Sequence, residues 1–144
     1  MNSSRDRWAS LQWVESQSVA NGADKEQCLL TLGDFGRVFI GGDSAGAHIV
    51  PNIAMKAGNE VLPGGVTLLG AFLTHPYLWG SKPIGSESSA KHTGGIDNPM
   101  INSLGREELS VARFGCSRLL VIVVGLDDLK ERGVAHSSAI KDSG

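Results

Sequence analysis

Apolar residues occur along the chain in two patterns, one with helical spacing and one in short continuous runs. Trp8, Leu11 and Val14 recur at the spacing of one helix face, and Asp6 can serve as the N-cap of that helix. A second helix is predicted over 45–58, AGAHIVPNIAMKAG, where helix-forming residues are followed by a glycine. Two helices are therefore predicted in the first part of the chain.

Three apolar runs are predicted to be β-strands. They are RVFIGG at 37–42, VTLLGAFL at 66–73 and SRLLVIVVG at 117–125. Near-continuous apolar runs are typical of parallel strands buried on both faces, because helices cover each side of such a sheet. A third helix is predicted in VAHSSAIKDSG, 134–144, and the Gly-, Pro- and Ser-rich stretch 74–114 is predicted to be a long, lid-like irregular loop. The resulting fold class is α/β, with a mostly parallel sheet flanked by helices.

Length and composition predict one soluble domain. With 144 residues, 41% of them hydrophobic and 19% charged, the chain is long enough for one core over 1–144 and too short for two. Thirteen Lys and Arg stand against fifteen Asp and Glu, and no basic block is present that could bind a run of phosphates. A nucleic-acid partner is therefore not expected.

Cysteines and apolar segments bear on where the protein resides. Cys28 and Cys116 are far apart and have neither metal-ligand nor disulfide-framework spacing, so no metal site and no disulfide are expected. The N-terminal residues lack the apolar segment of a signal peptide, and no apolar run is long enough to span a membrane. These features predict a cytoplasmic protein without a membrane partner, and they leave its oligomeric state open.

One pentapeptide carries the candidate chemistry. Gly42-Asp43-Ser44-Ala45-Gly46 matches G-x-S-x-G, the nucleophile elbow, in which a sharp strand-to-helix turn raises a serine Oγ above the edge of a sheet. Small flanking residues are required because so tight a turn leaves no room for branched side chains. The Ala45 N–H, at the start of the following helix, is predicted to stabilise an oxyanion. Glycine-rich turns also occur in nucleotide-binding folds, but GGDSAG has neither the GxGxxG nor the GK[ST] arrangement.

Five stretches of the sequence resemble one family. They are WASLQWV, DFGRVFIGGDSAGAHIVPNIAMKAG, LGAFLTHPYLWGSKPIGSE, GGIDNPMIN and GCSRLLVIVVGLDDLKERGV. They are similar to plant carboxylesterases of the hormone-sensitive-lipase-like group in the α/β-hydrolase superfamily, whose relatives include 2-hydroxyisoflavanone dehydratases and gibberellin receptors. The resemblance implies that Ser44 is the nucleophile, that Ala45 contributes an oxyanion N–H and that Asp127 is the acid that orients a histidine. Asp128 is the competing acid, but the family's order of acid, one residue and Leu favours Asp127.

The resemblance also implies two parts that this sequence does not contain. Family members carry an HGGG oxyanion loop before the elbow and a catalytic histidine well after the acid. His92-Thr93-Gly94-Gly95 follows the serine and matches a different segment of the family. His48 is predicted to lie on the elbow helix, His75 to hydrogen-bond within a loop and His136 to lie on the surface, so none is expected to be the base. The chain is therefore expected to be truncated at both ends and catalytically incomplete.

Two further differences from the family concern folding. Pro51 falls inside the predicted elbow helix, where it would remove a hydrogen bond and clash with the carbonyl of residue 47, at a cost of about 3 kcal/mol. We predict that Pro51 kinks or delays this helix. The segment between Glu87 and Gly94 is shorter than in the family, which indicates that part of the region covering the substrate is deleted.

Together these residues favour hydrolysis of a carboxylic ester through an acyl-enzyme, in which Ser44 attacks the carbonyl of a small-molecule ester. The mechanism needs no metal and no organic cofactor. Dehydratases of the family usually carry Thr at the nucleophile, so Ser44 favours an esterase. Two alternatives stay open: a non-catalytic small-molecule receptor of the gibberellin type, and a non-functional gene fragment that does not fold stably.

Overall fold

The structure is a computed structural model that describes residues 3–19, 24–78, 84–85, 114–127 and 129–142. Its helices and strands follow one another in the order α1 (Ser3–Ser18), α2 (Gln27–Leu32), β1 (Val38–Asp43), α3 (Val50–Asn59), a 3-10 turn (Pro63–Gly65), β2 (Leu68–Thr74), β3 (Arg118–Ile122) and α4 (Lys130–Asp142). Most of the loop predicted over 74–114 lies outside the described residues.

The three strands form a parallel sheet in the order β1-β2-β3. Residues directly opposite one another include Gly41 and Phe72 across the first pair of strands, and Phe72 and Leu120 across the second. Parallel neighbours need a crossover connection, and α3 supplies it between β1 and β2. The predicted α/β class, with a parallel sheet flanked by helices, is confirmed.

One face of the sheet carries the hydrophobic core of the described residues. Ala47, Val50, Ala71 and Leu73 form its buried cluster, and Leu73 is completely inaccessible to solvent. α3 packs on this face against β1 and β2 because its buried residues lie on one side of the helix. We call this surface the covered face.

The opposite face is largely exposed, so the prediction that the strands are buried on both faces is wrong. Along β1 and β3, burial alternates residue by residue, as it does in a strand with a single covered side. Four large apolar side chains on this side are between 43% and 58% exposed. These residues, which we call the open face, are Phe39, Phe72, Leu120 and Ile122.

Two phenylalanines of the open face lie over glycines of the neighbouring strand. Phe39 is opposite Gly70, and Phe72 is opposite Gly41. A Cβ at Gly70 would lie 3.0 Å from the Phe39 ring, and one at Gly41 would lie only 1.9 Å from the Phe72 ring. Each glycine therefore makes room for the aromatic ring of its cross-strand partner.

The first two helices differ from their prediction. α1 begins at Ser3, so Asp6 lies inside the helix and is not its N-cap. Trp8 and Leu11 are buried as the spacing predicts, and the Lys56 ammonium of α3 lies 4.3 Å from the centre of the Trp8 ring. α2 was not predicted, because this six-residue helix buries none of its side chains and so has no apolar face to detect.

Within the ranges that the structure describes, no helix is both long enough and apolar enough to cross a membrane.

Candidate active site

Ser44 occupies a sharp turn immediately after β1. Its φ angle is 51°, in the left-handed region that residues other than glycine seldom adopt. Its N–H donates to the Thr74 carbonyl at 2.9 Å, and its own carbonyl accepts the Ala47 N–H at 3.1 Å and the Tyr77 N–H at 3.2 Å. The strained strand-to-turn geometry predicted for Ser44 is therefore confirmed, and backbone hydrogen bonds to the end of β2 hold it in place.

The two flanking glycines are required by close packing within this turn. A Cβ at Gly42 would collide with the Gly46 backbone and lie 2.7 Å from the Ala47 nitrogen. A Cβ at Gly46 would lie 3.0 Å from the Asp43 carbonyl oxygen. The spacing of the G-x-S-x-G motif thus follows from two backbone segments that cross in contact.

The elbow helix starts later than predicted. Residues 44–49 form successive turns, and α3 begins at Val50. Pro51 therefore lies in the first turn of α3, where its missing N–H would have no helical partner, so the expected cost of a proline inside the helix does not arise. The predicted delay of the helix is confirmed. Among the described residues no acceptor takes the Ala45 N–H, which leaves this donor available to an anion.

Two of the histidines lie near the elbow without bonding to its serine. His75 follows β2, and its Nδ1 lies 3.3 Å from the Asp43 Oδ1, so His75 hydrogen-bonds as predicted, but to the last residue of β1 and not within its own loop. His48 lies in the turns before α3 and not on the helix itself. Burial lowers the pKa of His48, the charge of Arg7 lowers it further, and the Ala45 backbone opposes both effects. In the described part of the chain, Ser44 Oγ makes no hydrogen bond.

His136 was predicted to lie on the surface, and this prediction is wrong. The residue is 3% exposed, and burial lowers its pKa to about 4. The buried side of α4 consists of Arg132, Gly133 and His136, none of them an apolar residue that hydrophobic periodicity could detect. His92 and Asp128 lie outside the described residues.

Asp127 lies beyond the end of β3, in the turn that precedes α4. Its Oδ1 accepts the Leu129 N–H at 2.9 Å, and its carbonyl accepts the Lys130 N–H at 3.1 Å. A carboxylate at this place satisfies N–H groups that have no partner at a helix N-terminus. One carboxylate oxygen thereby accepts the Leu129 N–H, and the second makes no hydrogen bond among the described residues.

The strand order brings the candidate residues to one edge of the sheet. Ser44 follows β1, His75 follows β2 and Asp127 follows β3, and the carboxyl ends of parallel strands share an edge. Neighbouring strands lie about 4.8 Å apart, so the ends of β1 and β3 are separated by roughly 10 Å. Sequence reasoning missed Asp43 as the partner of His75, although Asp43 directly follows the run 37–42 and His75 lies two residues after the run 66–73.

Comparison with known proteins agrees with the fold. Residues 2–108 match a protein family described as alpha/beta hydrolase fold, and the chain belongs to this family. It is 40% identical to 2-hydroxyisoflavanone dehydratase of Glycyrrhiza echinata, over 96% of this chain and 48% of that protein. It is 35% identical to catharanthine synthase of Catharanthus roseus, over 96% of this chain and 49% of that protein. Probable carboxylesterase 4, mitochondrial, of Arabidopsis thaliana is 31% identical, over 96% of this chain and 41% of that protein. The chain spans about half the length of the curated relatives that it matches.

Proposed function

We propose that this chain belongs to a serine-dependent carboxylic-ester hydrolase in which Ser44 is the nucleophile. The observation that carries the proposal is the left-handed turn at Ser44, which exposes the residue at the carboxyl edge of a parallel sheet. The neighbouring Ala45 N–H has no acceptor in the described residues, so it can donate to the oxygen of a tetrahedral intermediate. Membership of a family that includes a carboxylesterase supports hydrolysis as the class of reaction.

In the proposed reaction, Ser44 Oγ attacks the carbonyl carbon of a small-molecule ester while its proton passes to a base. The alcohol leaves with that proton, and water then hydrolyses the acyl-serine to release the acid. Asp127 would orient the base through its carboxylate, at the same edge of the sheet. No described histidine bonds to Ser44 Oγ, so we propose that the 144 residues alone turn esters over slowly.

The first test compares the purified chain with a Ser44→Ala variant in hydrolysis of p-nitrophenyl butyrate. We expect nearly equal rates, with Ser138→Ala, an exposed serine on α4, as the matched control. Clear turnover that depends on Ser44 would contradict the proposal that the 144 residues alone turn esters over slowly. It would show that a histidine of this chain reaches the serine, and His48 and His75 would be replaced next.

A second test asks whether Ser44 can serve as nucleophile once a complete triad surrounds it. The chain is joined to the flanking segments of a carboxylesterase relative, and the chimera is assayed with and without Ser44→Ala. We expect ester hydrolysis that Ser44→Ala reduces by more than about 10³-fold, because loss of a triad nucleophile leaves little beyond binding. A folded chimera in which Ser44→Ala retains full activity would refute the assignment.

Dehydration is a second candidate, favoured by sequence identity. The chain is 40% and 38% identical to two proteins named 2-hydroxyisoflavanone dehydratase. The same chimera, given a 2-hydroxyisoflavanone and assayed by loss of water, tests it directly. The serine favours hydrolysis, so we expect Ser44→Thr to lower the rate of ester hydrolysis by a larger factor than the rate of dehydration.

The single domain over 1–144 and the cytoplasmic location stay predictions.

A further inference from the structure

Two side chains at neighbouring strand ends meet beside the elbow turn. Asp43 is the last residue of β1, His75 directly follows β2, and the His75 Nδ1 lies 3.3 Å from the Asp43 Oδ1. A carboxylate only accepts, so the His75 N–H is the donor. We propose that this contact, the Asp43–His75 clamp, fixes the Ser44 turn, and that His75 is a positioning residue for the nucleophile. The inference rests on the role proposed for Ser44.

The backbone around the clamp shows what it connects. The His75 N–H donates to the Ile122 carbonyl at 2.9 Å, which ties His75 to the end of β3. Its side chain reaches the end of β1 through Asp43. His75 thus links the carboxyl ends of all three strands. The Ser44 turn begins directly after Asp43, at the end of β1, and its N–H bonds to Thr74, at the end of β2.

The conformation of both loops explains why a clamp is needed. Ser44 and His75 have φ angles of 51° and 45°, and each is the first residue after its strand. Asp43 and Thr74, the residues that precede them, are direct register partners. Ser44 and His75 therefore lie side by side across the two strands. Residues other than glycine keep left-handed backbone angles only where surrounding contacts hold them.

The clamp is exposed, so it acts locally. The His75 and Asp43 side chains are 38% and 70% exposed, and exposed pairs of this kind contribute little to the stability of a whole domain. Removing the contact should therefore leave global unfolding nearly unchanged. Its effect should appear in the local opening of the Ser44 turn.

Amide hydrogen exchange in the intact chain tests this assignment. The amides to follow are those of Ser44 and Tyr77, which donate to the Thr74 and Ser44 carbonyls. The control is the Val38 amide, which donates to the Thr67 carbonyl at the far end of the same strand pair. In Asp43→Ala we expect about three- to tenfold faster exchange at Ser44 and Tyr77, the fold-change that loss of one hydrogen bond produces, and no change at Val38.

Variants of His75 separate hydrogen bonding from backbone strain. Asn places an amide N–H where Nδ1 stands and tolerates the left-handed region, so His75→Asn should exchange as the wild type does. His75→Gly adopts that region freely without a donor, so it should exchange as fast as Asp43→Ala. The double variant Asp43→Ala/His75→Gly should be no faster than either single variant, because both remove the same contact.

Four outcomes would overturn the clamp. They are equal acceleration at Val38, fast exchange in His75→Asn, additive effects in the double variant, and a wild-type chain whose Ser44 amide is unprotected. The measurement involves no catalysis and is therefore independent of ester hydrolysis. A chimera without Ser44-dependent hydrolysis, combined with the expected exchange pattern, would refute the ester-hydrolase proposal and leave the clamp standing.

Discussion

The covered and open faces of the sheet are built from similarly apolar residues in opposite surroundings. Leu73 on the covered face is completely buried, whereas Leu120 on the open face is 58% exposed. Strand composition alone does not distinguish them, because both belong to near-continuous apolar runs. A near-continuous apolar run therefore shows what a strand can bury, whereas the packing of helices decides what it does bury.

Stability should change most when one leucine of each face is shortened to alanine. Leu73→Ala should lower the free energy of unfolding by about 2–5 kcal/mol, because it leaves a cavity in a site closed on every side. Leu120→Ala should lower it by less than about 1 kcal/mol, because the side chain is already largely hydrated. Urea unfolding followed by circular dichroism measures both. Equal losses would mean that the open face is covered in solution.

The free energy of unfolding should depend on pH because His136 is buried on α4. Its pKa is about 4 in the folded chain and 6.5 ordinarily, so between these values the unfolded chain binds a proton that the folded chain does not. The free energy of unfolding should therefore fall as the pH drops from 6.5 towards 4, by about 3 kcal/mol in total, and level off below 4.

The control for this titration is His136→Gln, which does not titrate. The difference between the two unfolding curves isolates His136 from His48, whose pKa is also lowered. Parallel curves for the wild type and the variant would show that His136 is solvated.

Adjacent glycines on opposite faces provide the next comparison. Gly42→Ala should cost about 1–3 kcal/mol, because the new methyl group meets the backbone of Gly46 and Ala47, which cannot give way without opening the turn. Gly41→Ala should cost less, because the nearest atoms that the new methyl group meets belong to the Phe72 side chain, which is 45% exposed and can change rotamer. The melting temperatures of the two variants test this order. A lower melting temperature for Gly41→Ala would mean that the surroundings of Gly41 yield less than the backbone around Gly42.

The smallest effect on stability is expected for a charge on the open face. Leu120→Lys should change the free energy of unfolding by no more than about 0.5 kcal/mol, as exposed substitutions do. It should nevertheless reduce the binding of the fluorescent dye ANS, which reports exposed apolar surface. An unchanged dye signal would mean that the dye binds elsewhere.

The sequence predicts the strands and the elbow well, because both depend on local patterns. RVFIGG and the pentapeptide around Ser44 combine a β-rich run with glycines that the turn requires, and the structure places them as expected. The delay of α3 was predicted from Pro51, but its exact start was not. Pro51 is acceptable in a first helical turn, and the helix accordingly begins at Val50.

Features that depend on tertiary packing were not predictable in this way. α4 begins at Lys130 and turns Gly133 towards Val123, where a Cβ would lie 2.6 Å from the valine methyl group. His136, one turn further on, is buried on the same side of the helix as Gly133, which hydrophobic spacing does not indicate. The contact between Asp43 and His75 likewise requires the strand register, which hydrophobic spacing does not specify.

The ring of Phe72 over Gly41 should produce an NMR ring-current shift that reports on the pairing of the sheet. The α-hydrogen that stands where a Cβ would be points at the face of the ring, since a Cβ built there would lie 1.9 to 2.3 Å from three neighbouring ring carbons. Circulating π-electrons shield a nucleus in that position, so the Gly41 α-proton should resonate upfield of other glycines. Because Gly41 and Phe72 are register partners, this single resonance reports whether β1 and β2 are paired in register, without any introduced probe.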